Sequence, residues 1–283
     1  MTLAGSGELV AEAASRGRAV LAFNVIALEH AEAIVEGASA AGASVILQFS
    51  QNAIRFHGGD PRPILAASRE VALAAAVPVA LHLDHIDDPE LVDLGISLAA
   101  TGDYGLGSIM VDFATRPYAE NVAATAGAAE RARDAGLWVE AELGEVGGKD
   151  GAHAPGVRTD PGEAAAFTAA TGVDALAVAV GSSHAMVSRT ASIDHELVAR
   201  LAEAVAVPLV LHGSSGVPEA ELARAIAAGI RKVNIGTALN VAGAAATREV
   251  LAARPELVDP RPPARAARAA MAEVVAAAAR ALA

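Results

Sequence analysis

Three histidines in this chain follow apolar runs and are the residues best suited to chemistry. His85 ends the segment "LHLDH", His184 lies in "GSSHA", and His212 lies in "LHGSSG". Neutral imidazole is a common ligand of divalent transition metals, and three histidines leave a fourth coordination position open for a substrate. Any one of these histidines alone is more typical of a capping or core role. Three of them after apolar runs together favour a metal site.

Asp84 directly precedes His85 and places a carboxylate beside the predicted metal site. A carboxylate in this place can orient a metal-bound histidine, or it can move a proton as a general acid or base. Position in the sequence does not decide between these two roles.

Two segments rich in Gly and Ser, late in the chain, are typical of phosphate binding. "HGSSGVP" offers the backbone N–H groups of Gly213, Ser214 and Ser215, and "NIGT" offers Asn234 and Thr237. Phosphate sites of β/α barrels are often built from the last two strand–helix loops and a helix N-terminus. Either segment alone is compatible with an ordinary turn, whereas the pair predicts a phosphate site.

Short runs rich in Val, Ile and Leu alternate with Ala-rich segments that carry many of the charged residues. Several runs are mostly apolar rather than alternating, which is typical of parallel strands covered on both faces. We predict strands over 19–25, 44–50, 77–83, 108–113, 138–143, 175–180, 208–212 and 230–235. Helices are expected between the strands, for example over 28–41 and 117–135, and an additional C-terminal helix is expected over 264–282.

Eight strand–helix pairs in 283 residues predict an α/β fold, namely a single (β/α)8 barrel that spans residues 1–283 as one catalytic domain. The alternative is a doubly wound open sheet, which usually has fewer strands and a Gly-rich fingerprint after the first strand. The first strand here ends in "FNVIALEH", which lacks that fingerprint. A barrel builds its active site at the carboxyl ends of its strands, where the three histidines are predicted to lie.

The composition argues against several kinds of partner and several cellular locations. A net charge of −12 argues against a nucleic-acid surface. No run of about 18 uncharged apolar residues indicates a membrane span, and the first residues lack the features of a secretory signal. The chain has no Cys, which excludes disulfides and thiolate ligands. We therefore expect a cytoplasmic protein that binds neither nucleic acid nor membranes.

The motifs "HLDH", "VEAELGEVGG", "GSSH", "LHGSSGVP", "KVNIGT" and "DPR" occur in this order along the chain. From about Phe23 to the C-terminal helix, the chain resembles the class II, zinc-dependent ketose-bisphosphate aldolases, which include fructose- and tagatose-bisphosphate aldolases. The resemblance implies the same barrel fold and a catalytic Zn²⁺ held by His85, His184 and His212. It also implies that Asp84 moves the proton of the C4 hydroxyl during cleavage of the C–C bond.

The resemblance implies roles for further residues. Asp112 and Glu142 match carboxylates that hold the zinc in an alternative, outward position. Ser183, Ala185 and Gly213 match backbone oxygens that bind a monovalent cation, Na⁺ or K⁺, in the members that use one. The positions that match substrate contacts are Asn24, Ser50, Ala185, Gly213, Ser214, Ser215, Asn234, Ile235, Gly236 and Thr237.

Arg261 of "DPR" matches an arginine that reaches the substrate phosphate of a neighbouring subunit, which implies a homodimer or homotetramer. The chain also departs from the family pattern. Many members carry a Lys shortly after the histidine of the sixth strand, whereas Ser188 and Arg189 stand near that place here. The loop Glu that takes the C3 proton of dihydroxyacetone phosphate is absent, and Asp150 is at the nearest position.

The expected activity is the reversible cleavage of a ketose 1,6-bisphosphate, in the first instance fructose 1,6-bisphosphate, to dihydroxyacetone phosphate and glyceraldehyde 3-phosphate. The alternatives are an aldolase for tagatose 1,6-bisphosphate or another phosphorylated keto-sugar, a metal-dependent barrel hydrolase, and a non-catalytic partner subunit. A Lys Schiff base can replace the metal in aldol cleavage. The sequence offers few candidates for a Schiff-base lysine, because Lys149 and Lys232 are the only lysines in the sequence.

Overall fold

The computed structural model describes residues 3–143, 158–183 and 186–283. Its strands are β1 (Val20–Asn24), β2 (Val45–Ser50), β3 (Val79–Ile86), β4 (Leu106–Val111), β5 (Trp138–Glu142), β6 (Ala175–Ala177), β7 (Leu209–Leu211) and β8 (Ile230–Ile235). All eight are parallel to their neighbours, and β8 pairs with β1, so that the sheet closes into a barrel. The predicted (β/α)8 barrel is therefore confirmed.

Helices follow the strands and cover the outside of the barrel. They are α1 (Ser6–Ser15), α2 (Leu28–Ala41), α3 (Gln51–Phe56), α4 (Arg62–Leu73), α5 (Pro89–Thr101), α6 (Tyr118–Asp134), α7 (Pro161–Thr171), α8 (His195–Ala204), α9 (Glu219–Ala228), α10 (Thr237–Ala253) and α11 (Arg261–Leu282), with a short 3₁₀ helix at Ser214–Gly216. The sequence explains where several of these helices begin and end. Asp88 and Asp160 cap the first turns of α5 and α7, and each is followed by Pro. Gly102 and Gly172 end the same helices in the left-handed conformation.

The strand ends differ from the prediction where the chain enters the site. β3 extends to Ile86, so Asp84 and His85 lie within the strand rather than after it. β6 and β7 are shorter than expected and end at Ala177 and Leu211, because the chain there leaves the sheet for the loops at the carboxyl end of the barrel. The helix predicted over 28–41 has the bounds of α2.

The N-terminal end of the barrel is closed by α1. An apolar cluster joins this helix to the strands that surround it, and its buried members are Leu9, Val10, Val20, Ala22, Ile46 and Ala80. Ser6 of α1 places its Oγ 2.6 Å from the Oγ of Ser108 on β4, and both hydroxyls are buried. The interior is therefore sealed at this end, and substrate access is left to the carboxyl ends of the strands.

The expected C-terminal helix is α11, which packs against α2 and α10. Gly37 allows the close approach of α2, since a Cβ there would collide with the backbone oxygen of Ala272. Within the residues that the structure describes, no helix has both the length and the apolar character needed to cross a membrane.

Candidate metal and substrate site

Two of the three predicted metal ligands meet at the carboxyl end of the barrel. His85 comes from the end of β3, and His212 directly follows β7. The Nε2 of His85 lies 2.8 Å from the Nδ1 of His212. The rings stand nearly perpendicular, with their centroids 4.6 Å apart. The two imidazoles therefore aim one nitrogen each at the same point.

The far nitrogen of each ring is bound by a carboxylate. His85 Nδ1 lies 2.7 Å from Asp112 Oδ2, and His212 Nε2 lies 2.7 Å from Glu140 Oε1. A carboxylate accepts these hydrogen bonds, so each far nitrogen carries a proton, and the near nitrogen of a neutral ring carries the lone pair that can bind a metal. Carboxylate–histidine pairs of this kind are typical of metal sites, and the residues fit a divalent metal.

The backbone of β3 aims His85 into the site. His85 has φ 51°, in the left-handed region that non-glycine residues seldom adopt. The pairing of β3 with β4 shifts by one residue between Leu83 and Ile86, as expected for a bulge. The bulge and the strained residue together turn the imidazole towards His212, which a regular strand would not do.

Asp84 is held beside the two histidines by amide side chains. Its Oδ2 accepts a hydrogen bond from Asn24 Nδ2 at 3.0 Å, and Gln48 Nε2 donates to Asn24 Oδ1 at 3.0 Å. Its Oδ1 is buried and has no hydrogen-bond partner among the described residues. The ligand atoms of Asp84, His85 and His212 lie within 4.8 Å of one another. Asp84 can therefore offer one fixed, unbonded oxygen either to a proton or to a metal.

Asp84 is ionised in this environment. Burial alone would raise the pKa of its carboxyl group, but His85, His212, His82 and Lys232 together outweigh burial and lower that pKa to about 2. Its side chain is therefore a proton acceptor at neutral pH.

A second group of possible ligands shares His85 with the first. The ligand atoms of His85, Asp112 and Glu142 also lie within 4.8 Å of one another. Both carboxylates are buried, and Glu142 Oε2 lies 3.9 Å from His85 Nδ1. The carboxylates predicted for an outward metal position thus stand on the outer side of the His85 ring.

A buried ion pair lies below His212 inside the barrel. Lys232 Nζ, from β8, lies 2.7 Å from Glu140 Oε2, from β5, and neither side chain is exposed to solvent. Burial would raise the pKa of Glu140, but Lys232 and the hydrogen bond from His212 hold it well below its usual range. The carboxylate is therefore ionised and bridges Lys232 to His212.

The two predicted phosphate loops are joined by a hydroxyl. Ser215 Oγ accepts hydrogen bonds from the backbone N–H groups of Gly236 and Ala238, at 3.2 Å each. Ser214 is buried and donates to the backbone oxygen of Leu211. Arg189, which stands near the place of the usual Lys, lines a cavity of about 370 Å³ together with both serines, and Glu219 and Glu273 line the same cavity.

Gly213 fixes the approach of the β6 and β7 loops. It has φ 65°, and a Cβ there would lie 2.6 Å from the carbonyl carbon and oxygen of Ser183. The backbones of Ser183 and Gly213, both predicted to serve a monovalent cation, are therefore in close contact.

The remaining predicted residues divide into three groups. Asn234 lies at the site, with Nδ2 3.0 Å from His212 Nε2, while Ile235 is buried and Thr237 begins α10. Ser50 caps α3, where its Oγ accepts a hydrogen bond from Ala53, and exposed Arg261 pairs with Asp259 of its own chain. The predicted residues that lie outside the described ranges are Asp150, His184 and Ala185.

Sequence reasoning gave no role to Gln48 and Glu140, and it considered Lys232 only as a disfavoured Schiff-base residue, whereas the structure places all three at the site. A signal existed for Glu140, because Glu140 and Glu142 are two apart on one strand and therefore share a face. Lys232 and Asn234 in "IRKVNI" are likewise two apart on one strand and therefore share a face.

Comparison with known proteins gives matches over nearly the whole chain. A family model described as "Fructose-bisphosphate aldolase class-II" matches residues 5–283. A "Probable fructose-bisphosphate aldolase" of Bacillus subtilis (strain 168) is 37% identical over 265 residues, which cover 92% of this chain and 90% of that protein.

Solved structures give the same result. The YdjI aldolase of Escherichia coli K12 superposes with a TM-score of 0.83 at 30% identity, covering 98% of this chain and 96% of that one. A fructose-bisphosphate aldolase of Campylobacter jejuni superposes with a TM-score of 0.84 at 23% identity, covering 99% and 95%. At that lower identity the second likeness shows the shared fold alone.

Proposed function

Because this chain belongs to the class II fructose-bisphosphate aldolase family, we propose that it reversibly cleaves fructose 1,6-bisphosphate to dihydroxyacetone phosphate and glyceraldehyde 3-phosphate. The observation that carries the proposal is the convergence of His85 Nε2 and His212 Nδ1 beside the unbonded Oδ1 of Asp84. Members of this family are generally zinc-dependent, and zinc is the metal proposed here.

His85 and His212 would hold the zinc, and His184, outside the described residues, is the proposed third ligand. When bound, zinc supplies a Lewis acid for the negative charge that aldol cleavage leaves on the substrate oxygens. The protein orients both imidazoles through Asp112 and Glu140. Asp112 and Glu142 are also the proposed ligands of the outward metal position.

Asp84 is the proposed base for the C4 hydroxyl of the sugar. Asn24 and Gln48 hold one of its carboxylate oxygens, and the other is unbonded within the described part of the chain. A general base needs such a fixed and accessible lone pair. Asp150 is proposed to act at the C3 proton of dihydroxyacetone phosphate, and it lies outside the described residues.

The phosphate of the dihydroxyacetone half is proposed to bind where the β7 and β8 loops meet. The hydrogen bonds that link Ser215 to the backbone of Gly236 and Ala238 support this position, as does Arg189 in the adjoining cavity. A barrel hydrolase does not need such a phosphate site, and this favours the aldolase over that alternative.

A Schiff base on Lys232 is disfavoured by its surroundings. Its ammonium group is fully buried and paired with Glu140, whereas a Schiff-base lysine must be neutral and reach the substrate carbonyl.

Three further expectations belong to this proposal. A homodimer or homotetramer would present exposed Arg261 to the substrate of a neighbouring subunit. The contact between Ser183 and Gly213 supports a site for Na⁺ or K⁺ at their backbone oxygens. Location in the cytoplasm stays a prediction from the sequence.

The test is a triose-phosphate release assay on fructose 1,6-bisphosphate and tagatose 1,6-bisphosphate in parallel, with and without EDTA. We expect activity that EDTA abolishes and added Zn²⁺ restores, with the higher kcat/KM on the fructose substrate. A higher kcat/KM on the tagatose substrate would reassign the sugar and leave the chemistry intact. Activity that survives complete metal removal would overturn the metal-dependent mechanism.

A further inference from the structure

The barrel interior contains a charged pair, Glu140 and Lys232, whose hydrogen bonds among the described residues involve no predicted substrate position. Glu140 Oε2 is bonded to Lys232 Nζ and Glu140 Oε1 to His212 Nε2, each at 2.7 Å. All three side chains have no exposure to solvent. Replacing a buried ion pair by apolar residues is often neutral or stabilising, so the pair is weak support for a purely structural role.

The hydrogen-bonding capacity of the pair determines the protonation of His212. A carboxylate only accepts hydrogen bonds, and Lys232 occupies one of the two oxygens of Glu140. The other oxygen lies against His212 Nε2, so a neutral His212 ring donates its proton from Nε2 to Glu140. The amide of Asn234 also lies 3.0 Å from that nitrogen, and the amide rotated by 180° presents to the same proton its Oδ1, which has no other partner among the described residues. The lone pair of the neutral ring is then on His212 Nδ1, which lies 2.8 Å from His85 Nε2.

We propose that Glu140 and Lys232 are a positioning pair that fixes the tautomer and orientation of His212, so that Nδ1 is available to the metal. The inference rests on the proposed metal site and assigns Lys232 a role that is neither Schiff-base chemistry nor substrate binding. Lys232 holds Glu140, and Glu140 holds His212.

Glu140→Gln tests the pair because an amide has one accepting and one donating end. Lys232 donates only, so it selects the amide oxygen and turns the amide N–H₂ towards His212 Nε2. That arrangement places the ring proton on Nδ1, which then cannot bind a metal. We expect zinc affinity to fall by roughly 10–100-fold, as is typical when the partner of a ligating histidine is lost.

The double variant Glu140→Gln/Lys232→Met makes the test specific. Without Lys232 the amide is free to rotate and present its oxygen to His212 Nε2. We expect zinc affinity to recover by roughly 10-fold relative to Glu140→Gln alone, within the range that this partner contributes. A merely structural pair predicts the opposite, since a second buried change would add to the damage.

Zinc affinity is measured by competition with a chromophoric chelator, and thermal unfolding confirms that each variant is folded. Ser108→Ala is the matched control, because it removes a buried hydrogen bond to His82 in the same interior, and the side-chain hydrogen bonds found for Ser108 among the described residues go to Ser6, His82 and Leu81 rather than to Glu140. It should keep the affinity of the parent protein. Selective ¹⁵N labelling of histidine reports the His212 tautomer in the metal-free protein, where Nε2–H is expected in the parent and Nδ1–H in Glu140→Gln.

Two outcomes overturn the inference while the parent protein binds zinc. One is an unchanged affinity and tautomer in Glu140→Gln, and the other is a double variant that binds zinc no better than the single one. If the parent protein binds no zinc, the proposed metal site fails, and the tautomer measurement still decides the role of the pair.

Discussion

Asp84 combines two features that a proton-transfer residue needs. Its Oδ2 is fixed by Asn24 and Gln48, and its Oδ1 is buried with no hydrogen-bond partner in the described part of the chain. Its pKa, lowered to about 2 by the neighbouring imidazoles and Lys232 despite burial, keeps it ionised. Position alone left orientation and proton transfer open, and the unbonded oxygen favours proton transfer.

Asp84→Asn should reduce kcat by roughly 10²–10⁴ while zinc stays bound, because the amide keeps the shape but removes the base. Steady-state kinetics and a zinc titration of the same preparation measure the two effects. An unchanged kcat would limit Asp84 to orientation. Loss of zinc would instead make Asp84 a ligand, as its distance to the two histidines allows.

Arg189 lines a cavity with Ser214 and Ser215 and is our candidate for binding the substrate phosphate. Arg189→Ala should raise KM for the bisphosphate by roughly 10-fold, the worth of one charge-assisted hydrogen bond, with a smaller effect on kcat. Arg224→Ala is the control, since it removes the same charge from an exposed pair with Glu221 on α9. Equal KM values in the two variants would argue against a phosphate contact by Arg189.

At the scale of elements, the loops after β6 and β7 depend on the absence of a side chain at Gly213. Gly213 and Gly17 have almost the same dihedral angle, φ 65° and φ 66°. A Cβ at Gly17 meets nothing within 4 Å, whereas a Cβ at Gly213 collides with the backbone of Ser183. The two glycines therefore separate the cost of the backbone conformation from the cost of the collision.

Gly17→Ala should lower the free energy of unfolding by about 1–2 kcal/mol, the cost of a left-handed non-glycine residue. Gly213→Ala should lower it further and should also reduce kcat/KM, because the Ser183 and Gly213 backbones must separate. Urea unfolding and steady-state kinetics on both variants test this. Equal losses of stability with unchanged kinetics in both would show that the loop contact has no part in the site.

Elements were more predictable from the sequence than the geometry within them. The eight apolar runs and the bounds of α2 follow from local periodicity, which neighbouring residues determine. The left-handed φ of His85 and the bulge in β3 do not, because they depend on pairing with β4. Motifs located His212, whereas the link from Lys232 to Glu140 joins residues 92 positions apart in the sequence and needs the closed barrel.

For the whole molecule, the two ends of the barrel differ. α1 seals the N-terminal end, while buried titratable groups occupy the interior below the carboxyl end, among them His82, Asp84, Glu140, His212 and Lys232. Burial holds each of these groups in one protonation state, so the free energy of unfolding depends on pH.

The pKa of His82 is lowered to about 3, chiefly by burial and further by the Lys232 ammonium. In the unfolded chain a histidine has a pKa of about 6.5, so between these values the unfolded state binds more protons than the folded state. The free energy of unfolding of the metal-free protein should therefore fall as pH decreases through this window, by up to about 1.4 kcal/mol per pH unit from His82. The lowered pKa of His212, also due first to burial, acts in the same direction.

Urea unfolding at several pH values from 7 to 4 measures the slope of the free energy of unfolding against pH. His82→Gln, which cannot titrate, should reduce that slope by the contribution of about one bound proton. The same slope in both proteins would mean that His82 is already protonated in the fold, and that a positive charge is tolerated beside Lys232 at the centre of the barrel.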